Sequence, residues 1–276
     1  MRRTLADVKL MKVGGERISM LTAYDASMSR LLEACEVDML LVGDSLGMVM
    51  LGYDSTVPVT MDEMIHHAKA VRRGAPDSFI VGDMPFGAYQ TGERDAIKNG
   101  MRFLKEADCD AVKLEGGLKV CGVVRALVDA GIPVMAHIGL TPQTASQLGG
   151  YKVQGKGIDD ARRLLAEARS LEEAGAFGII LECVPDKLAE VITEAVAMPT
   201  IGIGAGAECD GQVLVTHDLL GMFEKFTPKF VKKFADLAPV IKESIVEYAS
   251  EVKSGSYPAA EHSFTSDCDY SLLLKE

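Results

Sequence analysis

The stretch "LVDAGIPVMAHIGL", residues 127–140, closes a helix-like pattern on Ala-Gly and enters an apolar run within a few residues. A second stretch, "EEAGAFGIILECV" at residues 172–184, repeats the arrangement and ends its run on Glu182. Glycine just past a helix lets the chain reverse, and an apolar run too short for a helix is a strand. Helix, glycine and strand joined by short connections form the unit of an alternating α/β chain.

The same unit recurs on both sides. Short apolar runs bounded by turn residues occur at "ISMLTAYD", "MLLVGDS", "FIVGDMP", "AVKLEGG", "PVMAHIGL", "GIILECVP", "PTIGIGAG" and "QVLVTHD". They are mostly continuous, without polar alternation, which is the pattern of parallel strands covered on both faces. Between them, "SMSRLLEACE", "TMDEMIHHAKAVRRG", "ERDAIKNGMRFLKEAD", "KVCGVVRALVDAG", "DDARRLLAEARSLEEAG" and "PDKLAEVITEAV" carry apolar residues at helical spacing. Thr60 and Asp159 read as starting caps, and Gly74, Gly131 and Gly175 as closing glycines.

Eight such units in 276 residues fit a (β/α)₈ barrel. A doubly wound sheet would have fewer units and a G-x-G-x-x-G turn after its first strand. The connection after "PTIGIGAGAECDG" is too short for a helix, and "TPKFVKKFADLAPVIKESIVEYASEVKSG" supplies one or two terminal helices. Residues 1–264 read as a single barrel domain including these helices, and 265–276 as a tail that needs docking to be ordered.

Composition narrows the function. A net charge of −11 opposes nucleic acid and anionic membranes as partners, leaving a small molecule as the expected ligand. Six scattered cysteines show no C-x-x-C pair or zinc spacing and read as reduced thiols. No uncharged apolar run approaches the ~20 residues of a membrane span, and no secretory h-region is visible at the start, so the expected location is cytoplasmic.

Barrel enzymes place their chemistry at the carboxyl ends of the strands. Here those ends are acidic: Asp44-Ser45 on the second strand, Asp83 on the third, Lys113 and Glu115 on the fourth, His137 on the fifth, Glu182 on the sixth and His217-Asp218 on the eighth. Several buried carboxylates around one mouth call for a cation. Hard oxygen donors without a Cys/His cluster suit Mg²⁺, with Asp44, Asp83 and Glu115 as the set, directly or through water. The alternative is that these acids cap helices or pair with rim arginines.

An apolar surround would raise the Glu182 pKa toward that of a general base; the alternative is a structural ion pair, for example to Lys113. Lys113 either neutralises a substrate carboxylate or balances the acids. His137 either donates to a substrate oxygen or is a satisfied core residue. "IGIGAG" is either a weak phosphate signal or a place of close backbone approach. The long loops "GMVMLGYDSTVPVTMDE" and "GLTPQTASQLGGYKVQGKGIDD" are candidate lids.

The segments "TAYDASMSRLLEACEVDMLLVGDSLGMVMLGYDSTVPVTMDEM", "VKLEGG", "HIGLTPQ", "GGYKVQGKG", "LECVP", "IGIGAG", "DGQVLVTHDLLG" and "SGSYPAAEHSF" together resemble the ketopantoate hydroxymethyltransferase family, from about residue 5 to residue 264. The resemblance implies a barrel of the phosphoenolpyruvate/pyruvate type and large homo-oligomers, commonly decamers. It implies one-carbon transfer from 5,10-methylenetetrahydrofolate to 3-methyl-2-oxobutanoate, giving 2-dehydropantoate. It further implies Asp44, Asp83 and Glu115 as the Mg²⁺ set, Asp44, Ser45, Asp83 and Lys113 at the ketoacid, and Glu182 as proton acceptor. A lyase or mutase of the isocitrate lyase group would share barrel, ion and 2-oxo acid but would favour a catalytic cysteine loop, and neither long loop contains cysteine.

Overall fold

The computed structural model describes residues 2–147 and 149–274. The chain runs α1 (Leu5–Gly14), β1 (Ile18–Thr22), α2 (Ala26–Ala34), β2 (Met39–Val42), α3 (Leu46–Val49), α4 (Met61–Gly74), β3 (Phe79–Asp83), α5 (Glu93–Ala107), β4 (Ala111–Glu115), α6 (Cys121–Asp129), β5 (Val134–Gly139), α7 (Ile158–Glu173), β6 (Gly178–Glu182), α8 (Asp186–Ala195), β7 (Thr200–Ile203), β8 (Gly211–Leu214), α9 (Thr216–Leu219) and α10 (Leu237–Ser254). All strand pairs are parallel, in sequence order, and β8 closes on β1. Each of the eight runs read from the sequence is a strand, and the architecture is a (β/α)₈ barrel.

The strand period of two sorts the core. Met39, Leu41, Phe79, Val81, Ala111 and Met135 belong to the cluster filling the barrel, whereas Leu40, Val42, Ile80, Val112 and Leu114 pack with helix residues such as Met64, Phe103 and Leu127. Both faces are apolar, which is why the runs carry no alternation. As the spacing predicts, no helix joins β7 to β8.

Thr60 caps α4 through a reciprocal capping box with Glu63. Asp159 does not cap α7: Gly157 holds that position and Asp159 lies in the first turn, where its charge still favours the helix amino terminus. Helix α1 has no counterpart in the sequence reading. Thr4 and Asp7 form its capping box, and Val8, fully buried, joins the barrel interior. Arg2 pairs with Asp108 and Asp110, Arg3 with Asp38, and Lys12 with Asp210, all just before strands, so α1 closes the amino-terminal end of the barrel. Among the described residues no helix is long and apolar enough to cross a membrane.

Candidate active site

Strand register builds the opposite end. Asp83 stands across from Lys113, Glu115 across from His137, and Glu182 across from Gly139, at the carboxyl termini of β3 to β6. Phe79, Val81 and Asp83 alternate inward, as do Ala111, Lys113 and Glu115, so the strands that fill the core with apolar residues end on charges.

The Lys113 ammonium donates to both Asp83 oxygens at 2.8 Å and to Glu115 Oε1 at 3.3 Å. The Asp44 backbone N–H donates to Asp83 Oδ2 at 3.2 Å, and the Asp44 carboxylate accepts from Gln143 Nε2 at 2.9 Å. Ser45 Oγ and the buried Tyr24 hydroxyl are 2.8 Å apart. His137 lies between two acids, with Nε2 3.3 Å from Glu182 Oε2 and Nδ1 3.7 Å from Glu115 Oε1. Both are ion-pair distances, and neither has hydrogen-bond alignment.

Electrostatics follow from burial and crowding. Burial, with Asp44 adding to it and Lys113 opposing, pushes the Asp83 carboxyl up to about 7. Burial likewise raises Glu115 well above the usual carboxylate range, against the pull of Lys113. For Lys113 burial works against its charge, but Asp83, Glu115 and Asp44 outweigh it and its pKa rises. Burial first and Lys113 second lower the His137 pKa, which favours the neutral ring. Three buried carboxylates thus face one ammonium. If all ionise, the surplus is two negative charges, and the donors are hard oxygens of the kind that hold Mg²⁺. Among the described residues no three His, Cys, Asp or Glu side chains are already gathered as a closed metal cage, the ammonium standing among the acids instead.

A sequence model of the ketopantoate hydroxymethyltransferase family matches residues 2–260. The chain belongs to this family. The 3-methyl-2-oxobutanoate hydroxymethyltransferase of Desulfotalea psychrophila is 65% identical over 99% of this chain and 98% of its own. That of Heliobacterium modesticaldum is 59% identical over 96% of each. Among solved structures, a phosphoenolpyruvate phosphomutase from Streptomyces platensis subsp. rosaceus superposes with a TM-score of 0.63 at 14% identity, covering 99% of this chain and 94% of that one. A 2,3-dimethylmalate lyase of the PEP mutase/isocitrate lyase superfamily superposes at 0.60 with 15% identity, over 100% and 94%. Identities this low bear on the fold alone, a (β/α)₈ barrel.

Asp44, Ser45, Asp83, Lys113, Glu115, His137 and Glu182, all read from the ends of the strand-like runs, stand together at one mouth. His217 and Asp218 do not sit on a strand: β8 ends at Leu214 and both lie on α9. The His217 ring is 5.5 Å from that of Tyr24, and burial pushes the Asp218 carboxyl up to about 6. The "IGIGAG" glycines answer to the protein's own packing. A Cβ on Gly204 would lie 2.7 Å from the Phe230 ring, and one on Gly206 2.5 Å from Asp186 Cβ, both at positive φ. Lys113 engages Asp83 and Glu115, and the residue beside Glu182 is His137, whose ring burial drives toward neutrality.

Three contributors escape strand-end reading. Tyr24, in "LTAYD", sits two residues past β1 and was within reach of the same rule. Tyr89 and Gln143 lie in connections, and only long-range hydrogen bonds bring them to the site.

Proposed function

We propose that this chain condenses a one-carbon unit from 5,10-methylenetetrahydrofolate with 3-methyl-2-oxobutanoate, consuming one water and releasing tetrahydrofolate and 2-dehydropantoate. The observation that carries the reading is the surplus of buried carboxylates around Lys113, with Glu182 beside them, in a chain of this family. Asp44, Asp83 and Glu115 would hold Mg²⁺. When bound, the ion withdraws charge from the ketone of a 2-oxo acid and makes its C3–H more acidic.

The remaining roles fall to the protein. With the acids engaged by a cation, the Lys113 ammonium is released to pair with the substrate carboxylate, and Ser45, held by Tyr24, offers a hydroxyl to the same molecule. Glu182 takes the C3 proton. The C–H electron pair, delocalised into the ketone, then forms the new C–C bond to the folate methylene as one methylene C–N bond breaks and its pair stays on that nitrogen. Water displaces the second nitrogen and leaves the hydroxyl on the transferred carbon, the two folate nitrogens taking up the C3 proton and a proton of that water. His137 stands between Glu182 and Glu115, beside the base. A homo-oligomer, a decamer by family analogy, and a cytoplasmic location complete the proposal.

Turnover of 3-methyl-2-oxobutanoate with 5,10-methylenetetrahydrofolate, with and without EDTA, tests it. Product with Mg²⁺ and a large loss after chelation are expected. Absence of 2-dehydropantoate under both conditions overturns the reading.

A further inference from the structure

The connection from β5 to α7 is tied to the strand ends that carry the acids. Leu140 N–H donates to the Glu182 carbonyl at 2.8 Å, and Gln154 N–H to the Cys183 carbonyl at 2.9 Å. Between these anchors Gln143, buried, reaches into the site, and every polar atom of its side chain is used. Nε2 donates to Asp44 Oδ2 and to the Met84 carbonyl, both at 2.9 Å, and Oε1 accepts from the Tyr89 hydroxyl at 2.7 Å. Its backbone N–H donates to Glu115 Oε2 at 3.1 Å.

One residue therefore holds carboxylates from two separated strand ends, those of β2 and β4. Both amide hydrogens are spent, one on an acid and one on a fixed carbonyl, so the carboxamide has one satisfied orientation. Any shift of the connection at residue 143 breaks the bond to Asp44, the bond to Glu115, or both. Tyr89 secures the arrangement from behind, since its hydroxyl also accepts from the Glu115 backbone N–H at 3.1 Å.

We propose that Gln143 is a positioning residue that joins the β5–α7 connection to Asp44 and Glu115, so that a divalent cation held by these acids and an ordered connection stabilise each other. The inference rests on the reading of the acids as a cation site. Coupling of this kind is reciprocal: whatever the ion does for the segment, the segment does for the ion. Hydrogen-bond partners behind a ligating carboxylate typically change metal affinity by about 10–100-fold.

The test uses the full chain and Mn²⁺ as probe. Mn²⁺ affinity is measured by electron paramagnetic resonance, and amide hydrogen exchange over residues 141–147 is followed in EDTA and at saturating Mn²⁺. In the wild type Mn²⁺ should slow exchange in that segment and leave α4 unchanged. Gln143→Met keeps length, bulk and the backbone N–H to Glu115 but removes the carboxamide bond to Asp44; it should weaken Mn²⁺ by about 10-fold and diminish the slowing at equal occupancy. Tyr89→Phe, which leaves both Gln143 donors in place, should lose less. A purely structural role lowers Tm but leaves Mn²⁺ affinity alone, and that result overturns the proposal. So does unchanged exchange in wild type with Mn²⁺ bound, a measurement that decides the matter even where Gln143→Met does not fold. Failure of wild type to bind Mn²⁺ removes the cation site itself and the coupling with it.

Discussion

Replacing Lys113 with methionine isolates the electrostatics of the mouth. The ammonium makes bonds of 2.8 Å to each Asp83 oxygen and 3.3 Å to Glu115 Oε1, and the three side chains are no more than 4% exposed. Removing one partner of a buried pair leaves an uncompensated charge and costs about 3–5 kcal/mol. Proton uptake sets the pH dependence. Asp83 already titrates at about 7 with Lys113 lowering its pKa, so in the variant it titrates higher still. A carboxyl whose folded pKa lies above its unfolded value binds more protons folded than unfolded, so stability is lost as pH rises toward the folded pKa.

In the wild type that loss is nearly complete near pH 7, whereas in Lys113→Met it continues above. The deficit relative to wild type should therefore be about 3–5 kcal/mol at pH 8 and smaller at pH 6. Urea unfolding in EDTA at both pH values, at one fixed protein concentration, measures it. A deficit below about 1 kcal/mol at pH 8, or one equal at both pH values, would refute the account of the buried acids.

Glu182→Gln should abolish solvent deuterium exchange at C3 of 3-methyl-2-oxobutanoate in the absence of folate; exchange at the wild-type rate removes Glu182 from proton transfer. Asp83→Ala should weaken Mn²⁺ and ketoacid together by calorimetry, and unchanged affinity for both sinks the assignment of the acids. Thr60→Ala removes the side-chain acceptor of the Glu63 N–H at the start of α4 and should cost about 1 kcal/mol in urea unfolding without altering ketoacid binding, with no measurable loss counting against the cap.

The barrel was legible because parallel strands buried on both faces must be apolar throughout, so that Asp83 in "FIVGD" and Glu115 in "VKLE" stood out against their runs. The period of two then carried them inward. Which acids touch depends instead on register: Lys113 meets Asp83 across 30 residues of chain, and spacing could not choose between acid and substrate as its partner. Gln143 and Asp44 are 99 residues apart and joined by one hydrogen bond, which leaves no periodic trace. Helix α1 escaped for a related reason. It buries only Val8 fully, and Lys12 on the helix and Arg2 just before it pair with acids beneath the barrel, so its amphipathic signal is faint.

The two ends of the barrel decide between the competing accounts of the acids. Beneath the barrel, acids are matched by cations: Asp108 and Asp110 face Arg2 and Arg72, Asp38 faces Arg3, and Asp210 faces Lys12. At the mouth, Asp44, Asp83, Glu115 and Glu182 face one lysine and a histidine driven toward neutrality by burial. None of the four caps a helix, and no arginine among the described residues pairs with them. The acids at the base are part-exposed and each is matched by a cation, whereas Asp44, Asp83 and Glu115 are buried in excess of Lys113 at the mouth, an arrangement that costs stability. A bound cation would offset such a cost, and this imbalance at the mouth, absent from the matched base, is the ground for proposing the site there.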